Sequence, residues 1–143
     1  MPRIDARRLA FEVLTRIDDG AYADLTLAAA LERLAEVRER ALATELVYGV
    51  LRRRGRLDFA LGRFCKQPLA KLEPAVLRLL RLGAYQLLEL DRVPARAAVH
   101  ATVELAKTLG LQRATGFLNG VLRSLDRGGD QLAWPSADDQ PVA

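Results

Sequence analysis

The chain has 143 residues, enough for one domain that buries its own core without disulfides or metals. Leu and Ala number 27 and 23 against 10 Val and 2 Ile, with aromatic residues at 6%. This usage favours an all-α domain and supplies no strands for a parallel-sheet nucleotide crevice.

The formal charge of +4 is unevenly spread: residues 1–127 hold 22 basic and 15 acidic side chains, a net +7, and the remaining 16 residues hold three acids and no base. Nineteen of the 22 bases are Arg. A guanidinium fork suits phosphate better than an ammonium does, although a GC-rich genome also produces Arg- and Ala-rich proteins. The single cysteine can make neither an internal disulfide nor a zinc site, which fits a reducing cytoplasm. No uninterrupted apolar run is long enough for a signal peptide or a bilayer span, so no membrane association is expected.

In chain order, Asp5 reads as an N-cap, and Ala6, Leu9, Ala10, Val13, Leu14 and Ile17 follow at the spacing of one helical face. Gly20 ends that helix, and Arg7 and Arg8 fall outside its apolar stripe. A second helix begins at the cap Asp24 and runs through Leu27, Leu31 and Leu34. A third spans about Arg38 to Arg53, stopped by Gly55, and a short fourth covers "LDFALGRFC". Two prolines mark the connection "KQPLAKLEP". Pro74 opens a fifth helix, whose run "AVLRLLRLGAYQLLEL" is apolar nearly all round and therefore central. Pro94 opens a sixth, which reaches Leu109 before Gly110. The seventh, "RATGFLNGVLRSLDR", buries Phe117, Leu118, Val121, Leu122 and Leu125. After Arg127 the pattern gives way to "GGDQLAWPSADDQPVA", which reads as a linker or tail. The expected organisation is a helical domain over 1–127, with about seven helices in two small bundles, and a tail over 128–143.

Catalytic signatures are sparse. No Gly-rich loop follows a strand, and no nucleophile, base and oxyanion site assemble, so the chain alone is not expected to be an enzyme. His100 and Glu104 lie one helical turn apart, which suits a surface or capping role better than catalysis. Cys65 lies beside Lys66, where a lowered thiol pKa is conceivable, but a half-buried small hydrophobe is the default. Asn119 in "LNGV" has two readings: close helix packing with its amide bonded to a neighbouring carbonyl, or an RNA contact. The first is favoured because the residue lies close to the buried face.

The ordered set "RALATELVYGVLRRRGRLD", "LLRLGAYQLLELDRVP" and "AAVHATVELAKTLG" followed by "FLNGVLRSLDR" resembles the NusB-like domain. It is most similar to the N-terminal domain of the RsmB (Sun, Fmu) family of bacterial 16S rRNA cytosine-5 methyltransferases. The resemblance covers about residues 5–127. It implies a NusB-like fold and RNA binding, with Arg3, Arg7 and Arg8 at the position of that fold's arginine-rich first helix. It also implies that S-adenosylmethionine and the catalytic cysteines belong to a following domain, since no cofactor site is expected in this chain. The tail would then begin the linker to that domain, and Trp134 would pack against it.

The cluster "LRRRGRLD" can be weighed in that light. At a helix end one cation complements the dipole, at about 0.3–1 kcal/mol, yet Arg52, Arg53, Arg54 and Arg56 are four. Some are expected to pair with Glu45 or Asp58, and the free ones to contact phosphate. Three readings stay open. The first is an RNA-binding module docking a methyltransferase on 16S rRNA. The second is a free-standing antitermination factor of the NusB type, acting with a small ribosomal protein. The third is a homodimeric scaffold with solubilising arginines.

Overall fold

The structure is a computed structural model describing residues 4–134. Among these residues all regular structure is helical. Six α-helices, α1 (Ala6–Asp18), α2 (Ala23–Leu31), α3 (Val37–Phe64), α4 (Pro74–Glu89), α5 (Ala95–Thr108) and α6 (Thr115–Gly128), are joined by loops and short 3-10 turns. Helices α1 to α3 form one layer and α4 to α6 the other. The two share a continuous core, because α4 packs on α1, α3, α5 and α6.

Local sequence explains most of the helix boundaries. The Asp5 carboxylate accepts the Arg8 N–H at 2.9 Å, and Glu39 from α3 accepts the Ala6 N–H at 2.8 Å, so two donors that α1 leaves open are satisfied. Gly20 and Gly110 adopt φ of 106° and 79°, the left-handed turn that closes α1 and α5 and that only glycine enters freely. Pro74 is the first residue of α4, and Pro94 sits just ahead of α5.

Three sequence expectations are corrected. The third and fourth helices are one 28-residue helix, α3, about 42 Å long, so the described helices number six. Leu46, Val50, Leu57 and Leu61 keep one buried face through Gly55, and burial on both sides outweighs a glycine cost of about 1 kcal/mol. Second, α2 starts after Tyr22 with no side-chain cap, and Asp24 lies inside its first turn, where a carboxylate favours the helix dipole. Leu34 is buried from the loop after α2, not from the helix. Third, the chain beyond Arg127 does not leave the body at once. A turn at Gly129–Gln131 brings Trp134 onto the Phe59 ring, with centroids 5.5 Å apart, so Trp134 packs on this domain.

Helix α4 is the axis of the fold. Leu79, Leu80 and Leu82 are fully buried, and its two arginines are tied to neighbouring elements. Arg78 donates twice to Asp18 at the end of α1, at 3.0 and 2.9 Å, and Arg81 donates to both carboxylate oxygens of Asp58 on α3, at 2.8 and 3.0 Å. These pairs let an otherwise apolar helix carry two cations inside the body. They also take Asp58 away from the 52–56 cluster, and Glu45 pairs with Arg92 at 2.5 Å.

Candidate nucleic-acid interface

Because α3 continues to Phe64, Arg52, Arg53 and Arg54 lie mid-helix, and neutralising a helix end is not their role. They project from the exposed side of α3, and their partners differ. Arg52 reaches the Tyr85 hydroxyl, whose pKa is raised chiefly by burial and also by the nearby Glu45 and Glu89, with Arg52 opposing. Arg53 has no partner among the described residues. Arg54 lies 3.7 Å from Asp18, whose other oxygen already holds Arg78. Arg56 is half-buried, 3.5 Å from Glu89, with its guanidinium 4.2 Å from the centre of the Trp134 ring.

The first helix is similarly mixed. Arg7 donates from Nε to the Oε1 of Gln86 at 2.7 Å, and Gln86 is buried on α4 with its amide donating to the Leu82 carbonyl. Arg8 approaches Glu12 at 3.5 Å, and Glu12 also accepts from Arg33 at 2.8 Å. Arg3 lies outside the described residues. Arg113 is clamped by both oxygens of Glu73 at 2.7 and 2.8 Å.

A more concentrated cationic site lies where the sequence reading placed none. Helices α5 and α6 run side by side and leave a cleft of about 510 Å³ between them, lined by Arg96 and His100 on α5 and by Asn119, Arg123, Asp126 and Arg127 on α6. None of the three guanidiniums has an acidic partner among the described residues. The Asn119 amide lines the cleft and bonds to no backbone carbonyl, and a Cβ on Gly120 would meet nothing within 4 Å, so neither half of the packing reading of "NG" holds. Residues 119, 123 and 127 form an i, i+4, i+8 stripe, and 96 and 100 form an i, i+4 pair across from them. That stripe was legible in the sequence; the juxtaposition of the two helices was not.

The remaining candidates behave as ordinary structure. Glu104 pairs with Lys107 at 3.1 Å and not with His100. Burial raises the Cys65 thiol pKa above its ordinary value, so Lys66 does not activate it. Among the described residues no helix is long and apolar enough to cross a membrane, and no group of three or more His, Cys, Asp or Glu side chains is placed to hold a metal ion.

Known proteins resemble the chain along nearly its whole length. It is 40% identical over 132 residues to a probable ribosomal RNA small subunit methyltransferase B of Bacillus subtilis, covering 90% of this chain and 29% of that protein. It is 43% identical over 148 aligned positions to a putative methyltransferase of Mycobacterium tuberculosis, covering 99% of this chain and 32% of that protein. The chain thus spans about a third or less of these relatives' lengths. Among solved structures, antitermination factors NusB and NusE in complex with dsRNA include a chain that superposes with a TM-score of 0.77 at 25% identity, over 86% of this chain and 94% of that one. A structure described as a plectonemic RNA supercoil gives a TM-score of 0.81 at 24% identity, which bears on the fold alone. Residues 4–127, which include all of α1 to α5 and nearly all of α6, match the NusB family, and the chain belongs to that family.

Proposed function

We propose that this domain docks a 16S rRNA cytosine-5 methyltransferase on its substrate, gripping RNA through phosphate contacts while another part of the protein performs methyl transfer. The observation that carries the reading is the pattern of identity. Relatives named as ribosomal RNA small subunit methyltransferase B match most of this chain at 35–41% identity but use it for only about a third of their length. A domain reused at that scale, in a family with an RNA-bound structural neighbour, is best read as the part that holds the substrate. S-adenosylmethionine then belongs to the catalytic part, and the setting is the bacterial cytoplasm.

In this reading the exposed members of the arginine set, Arg52, Arg53 and Arg54, meet phosphate, with the half-buried Arg8 and with Arg3 contributing from the first helix and the residues before it. Arg7 and Arg56 remain in the proposed set but also brace the fold, through Gln86 and through Glu89 with Trp134. Guanidinium–phosphate contacts supply affinity and register and read little sequence. The half-buried Trp134 is engaged by Phe59 and Arg56, so base stacking is a minor part of the affinity.

The NusB–NusE neighbour favours a second reading, an antitermination factor acting with a ribosomal protein. The two separate in one titration. Fluorescence anisotropy with a 16S rRNA hairpin, with and without a small ribosomal protein, yields binding by the chain alone if it is a docking module. Affinity that appears only when the ribosomal protein is added supports the antitermination factor instead. No affinity in either case leaves the homodimeric scaffold.

A further inference from the structure

We propose that the α5–α6 cleft is a binding site for the phosphodiester backbone of RNA, with Arg96, Arg123 and Arg127 on the phosphates and Asn119 hydrogen-bonding a ribose 2′-hydroxyl. The inference rests on the RNA-binding reading and locates its strongest contact away from the arginines of α1 and α3.

Four observations converge on the cleft. Most other arginines of the body bond to an acid or an amide or lie over a ring, whereas these three line one cleft without a hydrogen bond or ion pair to any described residue. Like charges one helical turn apart repel, so Arg123 and Arg127 on one stripe bear a small standing cost that a polyanion would remove. The N-terminus of α5 opens onto the same cleft at Ala95 and Arg96, and Pro94 gives it no side-chain cap, so unsatisfied N–H groups add to the positive field. The cleft's volume of about 510 Å³ lies in the range of sites that hold nucleotide-sized groups.

Asn119 makes the site more than a charge. Its amide offers donors and an acceptor together, the combination that a 2′-hydroxyl also presents, and it has no partner of its own among the described residues. Asp126, also in the lining, keeps the cleft from being a uniform positive surface, and its carboxylate opposes acidic side chains as well as phosphate. Protein-binding surfaces are depleted of charged residues, whereas four of the nine residues lining this cleft are charged, three of them Arg, which favours nucleic acid as the occupant.

The test compares the parent chain with the triple variant R96Q/R123Q/R127Q, with N119A, and with R113Q as a surface control outside the proposed RNA contacts, by anisotropy against a 16S rRNA hairpin over a range of salt. Circular dichroism melts confirm that the variants fold; the cleft side chains have no acidic partners to lose. The triple variant should bind more weakly, with the slope of log affinity against log salt reduced by about 2–3 units, about 0.7–0.9 for each contact. N119A should weaken RNA binding but not binding of the matching DNA hairpin. If the parent binds RNA and the triple variant matches it in affinity and slope, the cleft proposal falls while the RNA-binding reading stands. If the parent binds no RNA, both fall. Polyglutamate competing as well as RNA at equal charge would mark the cleft as a site for acidic protein and overturn the assignment.

Discussion

Gly49 and Gly55 lie on the same helix, six residues apart, and should respond to alanine with opposite signs. At Gly55 an added Cβ meets nothing within 4 Å, and the residue is not among the positive-φ glycines. Gly55→Ala therefore gains helix propensity and should stabilise the fold by about 0.5–1 kcal/mol. At Gly49 the new Cβ would sit 2.1 Å from Cζ and 2.3 Å from the hydroxyl oxygen of Tyr85, which is buried at the crossing of α3 and α4. Ordinary contact lies at about 3.5–4.0 Å, so the ring must move by more than an ångström. Overpacking of that kind costs about 1–3 kcal/mol, and after the propensity gain Gly49→Ala should lose about 1–2 kcal/mol. With an unfolding entropy of about 2.1 cal/mol/K per residue, 1 kcal/mol corresponds to about 3 °C in Tm at this chain length. Thermal melts should place Gly55→Ala about 2–3 °C above the parent and Gly49→Ala about 3–6 °C below it. A fall in Tm for Gly55→Ala would mean that α3 is broken there, as the sequence alone suggested. A rise for Gly49→Ala would mean that the α3–α4 crossing is wrongly drawn.

Leu79→Ala or Leu80→Ala should each cost about 2–5 kcal/mol, because both side chains are fully buried where α4 meets its neighbours; urea titrations check this. Asp58→Ala leaves the nearly buried Arg81 guanidinium without its two acceptors and should cost about 3 kcal/mol, while the exposed Arg53→Ala should change stability by less than about 0.5 kcal/mol. Tyr48 donates to the Asp24 carboxylate, which raises the phenol pKa above its ordinary value, so this contact is intact below that value and is lost as pH rises through the raised one. Tyr48→Phe should accordingly flatten the alkaline limb of a stability–pH profile. Cys65, its thiol pKa raised by burial, should react with a thiol reagent at neutral pH more slowly than the same cysteine in the denatured chain.

Helical class, the central place of α4 and most helix ends were legible because each depends on local chemistry. Period 3.6 marks the buried faces, Asp5 caps α1, Pro74 opens α4, and Gly20 and Gly110 take the left-handed turns. Gly55 misled because an exposed glycine inside a long helix and a glycine past a helix end look alike in one dimension. Only the apolar stripe continuing through Leu57 and Leu61 tells them apart. The arginines were harder still, since their partners are set by tertiary contact: Asp58 went to Arg81, Glu45 to Arg92, and Gln86 to Arg7 across 79 residues of sequence. The same limit hid the α5–α6 cleft, whose two stripes acquire meaning only when the helices lie side by side.

The salt dependence of RNA binding tests the central claim most directly. Four to six phosphate contacts predict that log affinity for a 16S rRNA hairpin falls linearly with log salt, with a slope of about −3 to −5. Raising salt from about 50 to about 200 mM should then weaken binding by about two to three orders of magnitude. Binding that is absent at low salt, or present with a slope near zero, would contradict the account: the arginines would then serve folding and solubility, and RNA would have to be held elsewhere in the protein.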